Sequence, residues 1–198
     1  MEEKERVREW IKERLKELPE EERKKKSEKI KSHLLNHPWF EKAKHIFIYL
    51  SFQKEVDTFP IIRDSLRAGK TVLVPWTVNQ KEMIPVILKK LENLEKGKWG
   101  IPQPVEKSPF PKDKIELVIL PGLAFDKKGN RLGRGKAFYD RFLSSLSPKI
   151  KKLALAYSFQ VIDNLPISNH DIPVEEIITE NGGVIQKKRS FLGKNPKS

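Results

Sequence analysis

Cysteine is absent from this chain of 198 residues, so neither a disulfide framework nor a thiolate metal site can be part of its design. Long apolar runs are missing too. None approaches the roughly 20 residues needed to span a bilayer. The first residues, MEEKERVREW, alternate acid and base with no apolar stretch of signal-peptide type. No cluster of histidines and acids has zinc spacing. No Gly-x-Ser-x-Gly elbow appears, which leaves serine hydrolase chemistry without support. Internal repeats and clean linkers are also lacking. These absences point to a soluble cytoplasmic protein with one domain over residues 1–186, followed by a basic, flexible tail over 187–198.

Positive charge is abundant. Forty Lys and Arg oppose 27 Asp and Glu, for a formal net charge of +13. Such an excess suits phosphates, acidic cofactors or nucleic acid. It equally suits a heavily solvated surface in which both signs are interspersed. Arg23-Lys-Lys-Lys26 has acids on both sides, which favours the solvated face.

Val7, Ile11, Leu15 and Leu18 recur at helical spacing and predict an amphipathic rod. Pro19 breaks it, and a second helix follows to near Pro38. His45–Leu50, Thr71–Pro75, Glu116–Leu120 and Lys152–Tyr157 read as strands, with Glu116–Leu120 central. Met83–Leu88 is a further strand that Pro85 confines to an edge or a bulge. Thr58 is placed to cap a helix through Leu66 that stops at Gly69. Gly97–Pro111, with its four prolines, predicts an ordered loop with little regular structure. A helix is expected from Lys136 to Leu146, and Val174–Ile178 and Val184–Gln186 close the sheet. Alternating strands and helices imply a mostly parallel sheet covered on both faces, with ligands beyond its carboxyl edge.

The segment richest in chemistry runs from Leu120 to Arg141. A buried strand leads to a loop in which Gly133 and Gly135 allow close approach of an anion. Arg131, Arg134 and Lys136 add charge where a helix is expected to start, and Asp140 lies one turn further on. The spacing matches neither a Walker loop nor a dinucleotide fingerprint. A plain strand-to-helix turn is the alternative to a phosphate site. Glu55 and Asp57 follow the first strand, either as hydrogen-bond acceptors for a polar heterocycle or as solvated loop acids. Trp99 sits in a proline-rich loop, able to stack on a flat ring or to plug the edge of the core. His170 and Asp171 offer an acid–base group and an oxygen ligand, or simply a turn.

Four stretches occur in order: EVDT (Glu55–Thr58), WGIPQP (Trp99–Pro104), PGLAFDKKGNRLGRGKAFYDRFL (Pro121–Leu143) and HDIPVEEIITE (His170–Glu180). In this order, over nearly the whole chain, they resemble the 5-formyltetrahydrofolate cyclo-ligases, or methenyltetrahydrofolate synthetases. The resemblance implies a three-layer α/β/α sandwich. It implies closure of 5-formyltetrahydrofolate to 5,10-methenyltetrahydrofolate, with ATP as cosubstrate and Mg²⁺ as cofactor; a monomer with no nucleic-acid or membrane partner is expected. Carried over by residue, it puts Lys4 and Arg8 on ATP, together with Arg131, Leu132, Gly133, Arg134, Gly135, Lys136, Ala137, Phe138 and Tyr139. It puts Leu50, Glu55, Trp99 and the stretch Arg134–Phe138 on the folate. Asp140 and Asp171 become the metal carboxylates, and Arg134 and Lys136 the catalytic cations. Many members have Gly-Tyr-Tyr-Asp where this chain has Ala137-Phe138-Tyr139-Asp140. Ala137 is expected to suit a helix start. Phe138 keeps an aromatic face and loses a hydroxyl.

Overall fold

The structure, a computed structural model, describes residues 2–185. The expected tail over 187–198 and Gln186 lie outside the described residues. Two helices, α1 (Glu2–Glu17) and α2 (Glu20–Leu35), are hinged at Pro19, whose extended backbone cannot continue the first. Ile11, Leu15 and Leu18 are buried, as are Ile30 and Leu34. The second helix stops at Leu35, short of Pro38. That proline instead opens a separate short helix, α3 (Pro38–Lys42), where its missing N–H costs nothing. His37 Nδ1 accepts the Trp39 amide at its start.

The central sheet comprises β1 (His45–Ile48), β2 (Thr71–Thr77), β3 (Met83–Leu88), β6 (Leu117–Leu120), β9 (Lys151–Leu155), β11 (Glu176–Thr179) and β12 (Gly182–Ile185). Its order is β12-β11-β9-β6-β1-β2-β3. The five inner strands are mutually parallel, and an antiparallel strand closes each edge. Strand β6 is central, as its unbroken apolar run requires. Pro85 lies in edge strand β3, where a missing donor does least harm. Alternation along the strands builds two cores. Ile46, Ile48, Ile119 and Leu155 face α1 and α2, together with α4 (Phe59–Arg67). Phe47, Val118, Leu120 and Ala154 face Phe142 and Leu143 of α5 (Phe138–Ser144). The result is the expected three-layer α/β/α sandwich, thick on one side and thin on the other.

Three local features differ from the sequence expectation. Thr58 precedes α4 but does not cap it with its side chain. Its hydroxyl donates to the Tyr49 carbonyl and accepts from the Ser51 amide, tying α4 to the end of β1. The Phe59 amide goes to Asp57 instead. The proline-rich loop contains a small hairpin, β4 (Leu94–Lys96) against β5 (Pro102–Pro104). Gly97 and Val105 donate across that hairpin, so the prolines fall on the alternate positions whose nitrogens point away from β4. The loop after β6 is likewise built. It holds β7 (Ala124–Asp126) and β8 (Arg131–Leu132), with β10 (Val161–Ile162) completing a separate three-stranded sheet. Asp126 fixes their turn by accepting from the Lys128 and Asn130 amides.

Ile11 anchors α1 to the body with no exposed surface. Ile11→Ala is expected to cost about 3 kcal/mol of stability through lost burial and a residual cavity. A lower urea midpoint at unchanged m would show it.

Candidate functional site

Chain order reverses between β1 and β6. From β1 the chain builds outward to β2 and β3, then returns to β6 on the other side. Such switch points open a crevice beyond the carboxyl ends of the strands. A narrow cleft lies there, lined by Tyr49, Glu55, Gly122, Leu123, Arg134 and Gln160 among others. Its walls are held by side chains that follow apolar strands. Tyr49 donates to the Val56 carbonyl (3.2 Å), Tyr157 to the Lys54 carbonyl (2.8 Å), and Gln160 Nε2 to the Gly122 and Leu123 carbonyls (both 3.0 Å). None of these three was singled out by motif reasoning. For the two tyrosines the available signal was a polar aromatic group just past the carboxyl end of a buried strand; Gln160 offered none.

Glu55 is the acid of this cleft. One carboxylate oxygen accepts the Phe52 amide at 2.8 Å, and its backbone carbonyl accepts Arg23 Nε at 3.1 Å. Burial pushes its carboxyl up to about 7, against the charges of Arg134 and Arg23 and the hydrogen bond from Phe52. A carboxyl so poised can meet a heterocycle as either hydrogen-bond donor or acceptor. Asp57 is used structurally by Phe59 and Ser51, and Leu50 is buried at the end of β1.

The glycine-punctuated segment divides into a buried and an exposed half. Arg131 and Leu132 are buried in β8, whereas Arg134, Gly135, Lys136 and Ala137 are exposed. Helix α5 begins at Phe138, two residues later than expected, because Ala137 is left-handed (φ 56°). Alanine at this position therefore does not suit a helix start; it is a strained link. Lys136 Nζ lies 3.5 Å from the ring centroid of Trp99, whose ring centroid is 6.2 Å from that of Phe138. Trp99 is 52% exposed and is itself left-handed (φ 56°). A Cβ added at the next residue, Gly100, would touch the Phe52 ring at 3.5 Å. Three loops thus meet in sequence around the cleft. Each carries one of the non-glycine residues with positive φ among the described residues: Gln53, Trp99 and Ala137. Such strain gathers where a site must be held in shape before its ligand arrives.

Helix α1 closes the far side of the glycine segment. Arg8 Nε donates to the Gly133 carbonyl at 2.9 Å, and its guanidinium lies over Gly135. One turn earlier, Lys4 pairs with Asp171 at 2.8 Å. Burial would raise the Asp171 carboxyl, but the bonds from Lys4 and Ser168 and the Lys4 and Arg131 charges hold it below the usual range. Asp140 Oδ1 accepts the Ile172 amide (3.3 Å) and Arg131 Nη2 (3.4 Å), which brings the two carboxylates to neighbouring positions. His170 is exposed on the turn beside them. Among the described residues no three metal-ligating side chains cluster, so an all-protein metal cage is not formed. Two carboxylates are nevertheless what a magnesium ion takes from a protein when phosphate and water supply its other ligands, and the donor set fits that group.

Residues 1–180 match the family model described as the 5-formyltetrahydrofolate cyclo-ligase family. The chain is 34% identical over 187 residues to mouse 5-formyltetrahydrofolate cyclo-ligase, covering 88% of this chain and 92% of that one. The NMR structure of Aquifex aeolicus 5,10-methenyltetrahydrofolate synthetase superimposes with a TM-score of 0.86 at 33% identity, over 98% of this chain and 99% of that one. The Mycoplasma pneumoniae 5,10-methenyltetrahydrofolate synthetase shares the fold, with a TM-score of 0.74 at 23% identity, over 89% of this chain and 98% of that one.

Two measurements follow from the geometry. A left-handed alanine costs about 1–2 kcal/mol, part of which glycine gives back as freedom of the unfolded chain. Ala137→Gly should therefore raise Tm by about 2 °C; an unchanged or lower Tm would contradict the strain. Glu55 holds its proton more tightly in the folded protein than in the unfolded chain. Its contribution to stability is complete below about pH 4.3 and is lost as pH rises through about 7. Calorimetry should find wild type losing Tm relative to Glu55→Gln across that window, and a constant difference would reject the burial effect.

Proposed function

Because the chain belongs to the 5-formyltetrahydrofolate cyclo-ligase family, we propose that it closes 5-formyltetrahydrofolate to 5,10-methenyltetrahydrofolate, consuming ATP in the presence of magnesium and releasing ADP and phosphate. The observation that carries this reading is that Arg134 lines the same cleft as Glu55, at the point where α1 meets the glycine segment. Groups suited to phosphate and a group suited to a polar heterocycle therefore share one wall.

The chemistry begins with a formyl group that is poorly electrophilic because its carbonyl is conjugated with N5. The formyl oxygen attacks the γ-phosphorus of ATP, and ADP leaves with the electrons of the broken bond. The formyl carbon is then activated, and the N10 lone pair adds to it. Loss of the N10 proton and departure of phosphate with the C–O bond electrons leave the methenyl bridge. The protein's work is positioning and charge neutralisation. Arg134 and Lys136, both exposed on the glycine segment, stabilise the transferring phosphoryl group. Lys4 and Arg8 bear on the phosphates from α1. Lys4 spends one contact on Asp171 and keeps further N–H donors for phosphate. Asp140 and Asp171 would hold the magnesium ion, which when bound offsets phosphate charge. Glu55 orients the pterin through its polar edge, and Trp99 and Phe138 offer aromatic faces for stacking.

Mixing the protein with MgATP and 5-formyltetrahydrofolate should raise the ultraviolet absorbance of the methenyl product, and folded protein that yields none would refute the reading. Lys136→Ala should lower kcat by roughly 10²-fold, as expected on removing one donor to developing charge. Near-wild-type turnover would take Lys136 out of the chemistry.

A further inference from the structure

Arg131 differs from the other cations of its segment. Its side chain is 3% exposed, whereas Arg134 and Lys136 are open to solvent. Its guanidinium is walled in on every side that the contacts describe. Nη1 donates to the Pro121 carbonyl (3.3 Å), Nη2 to Asp140 Oδ1 (3.4 Å), and the group lies 5.5 Å from the Tyr139 ring centroid. The backbone passes close over it. A Cβ at Gly133 would come to 3.1 Å from Nη1, and one at Gly122 to 3.1 Å from Cγ. A phosphate could reach this guanidinium only by displacing the glycine segment.

The hydrogen bonds of Asp140 show what such a buried cation is placed to do. Oδ1 is held from behind by Arg131 and by the Ile172 amide, while Oδ2 has no protein donor among the described residues. Asp171 is arranged in the same way. Oδ2 accepts Lys4 and the Ser168 amide, and Oδ1 has no donor among the described residues. Each carboxylate is thus anchored through one oxygen and offers the other. Outer groups that fix a ligating carboxylate in this manner set cation affinity without touching the cation. The Arg131 bonds are long, and its Nε is buried without a partner, so the anchor has capacity left to tighten.

We propose that Arg131 is a positioning residue that does not touch the nucleotide: it holds Asp140 from behind, so that the free oxygen of that carboxylate meets a divalent cation carried by the nucleotide. This rests on Asp140 and Asp171 being the metal carboxylates, as proposed above, and it departs from the family-based expectation that Arg131 itself contacts ATP.

The test is calorimetric titration of ADP into wild type and Arg131→Lys, once with Mg²⁺ and once with EDTA. Lysine keeps the charge and loses the fork that joins Pro121 to Asp140. In EDTA the variant should bind ADP within about 2-fold of wild type, while the gain in affinity that Mg²⁺ confers should fall by roughly 10-fold or more. Equal losses with and without Mg²⁺ would identify a direct phosphate contact and overturn the proposal, as would no loss in either condition. Wild type that gains nothing from Mg²⁺ would instead overturn the metal reading beneath it. Should the lysine variant fail to fold, phenylglyoxal modification of wild type mapped by mass spectrometry decides the matter. Arg134 should be modified and protected by ADP, with Arg131 unmodified. Modification of Arg131 at the rate of Arg134, relieved by ADP in EDTA, would contradict its place behind the carboxylate.

Discussion

The docking of α1 against the glycine segment is the contact on which the rest of the site depends. Lys4 and Arg8 lie one turn apart and reach Asp171 and the Gly133 carbonyl, partners 167 and 125 residues away in sequence. An exposed surface ion pair would contribute little. Here both members of the Lys4–Asp171 pair are largely shielded, and the helix beneath is fixed by Ile11 and Leu15 in the core. Apolar burial supplies the attachment, and the two cations set its register. Remove that attachment and the cleft loses one wall, the glycine segment loses its brace, and Asp171 loses its counter-charge.

Around this contact the molecule accepts several unfavourable terms together. Glu55 is buried enough to resist ionisation near neutral pH, three loops hold non-glycine residues at positive φ, and Arg131 keeps a buried donor unpaired. Each is costly alone, and all lie at or beside the carboxyl edge of one sheet. The sandwich below absorbs the cost because its strands are buried on both faces. Structural contacts such as Thr58 with Tyr49 and Tyr157 with Lys54 then fix the loops from beneath.

The layered fold was legible in the sequence where a local pattern has a single physical outcome. Leu117–Leu120 is apolar at every position and can only be a strand buried on both faces. Pro85 marked an edge, and the spacing of Ile11 and Leu15 marked a buried helix face. What stayed hidden depends on partners distant in the chain. Strands β7, β8 and β10 are two or three residues long and exist because they pair with one another. The β4–β5 hairpin depends on which side of the strand its prolines fall. Ala137 looks like a helix former and is left-handed, because the loop geometry overrides its propensity. The residues that carry the family resemblance do gather beyond the carboxyl ends of the strands. Their division into exposed Arg134 and Lys136 and buried Arg131 could not be read from three cations within six positions.

The central claim is chemical: the shared wall lets the formyl oxygen of the folate meet the γ-phosphate of ATP. Labelling that oxygen tests it most directly. With 5-formyltetrahydrofolate carrying ¹⁸O in the formyl group, mass spectrometry of the phosphate released in one turnover should find one ¹⁸O per phosphate. Phosphate without the label, formed alongside the methenyl product, would mean that the oxygen leaves by another route and would contradict the account.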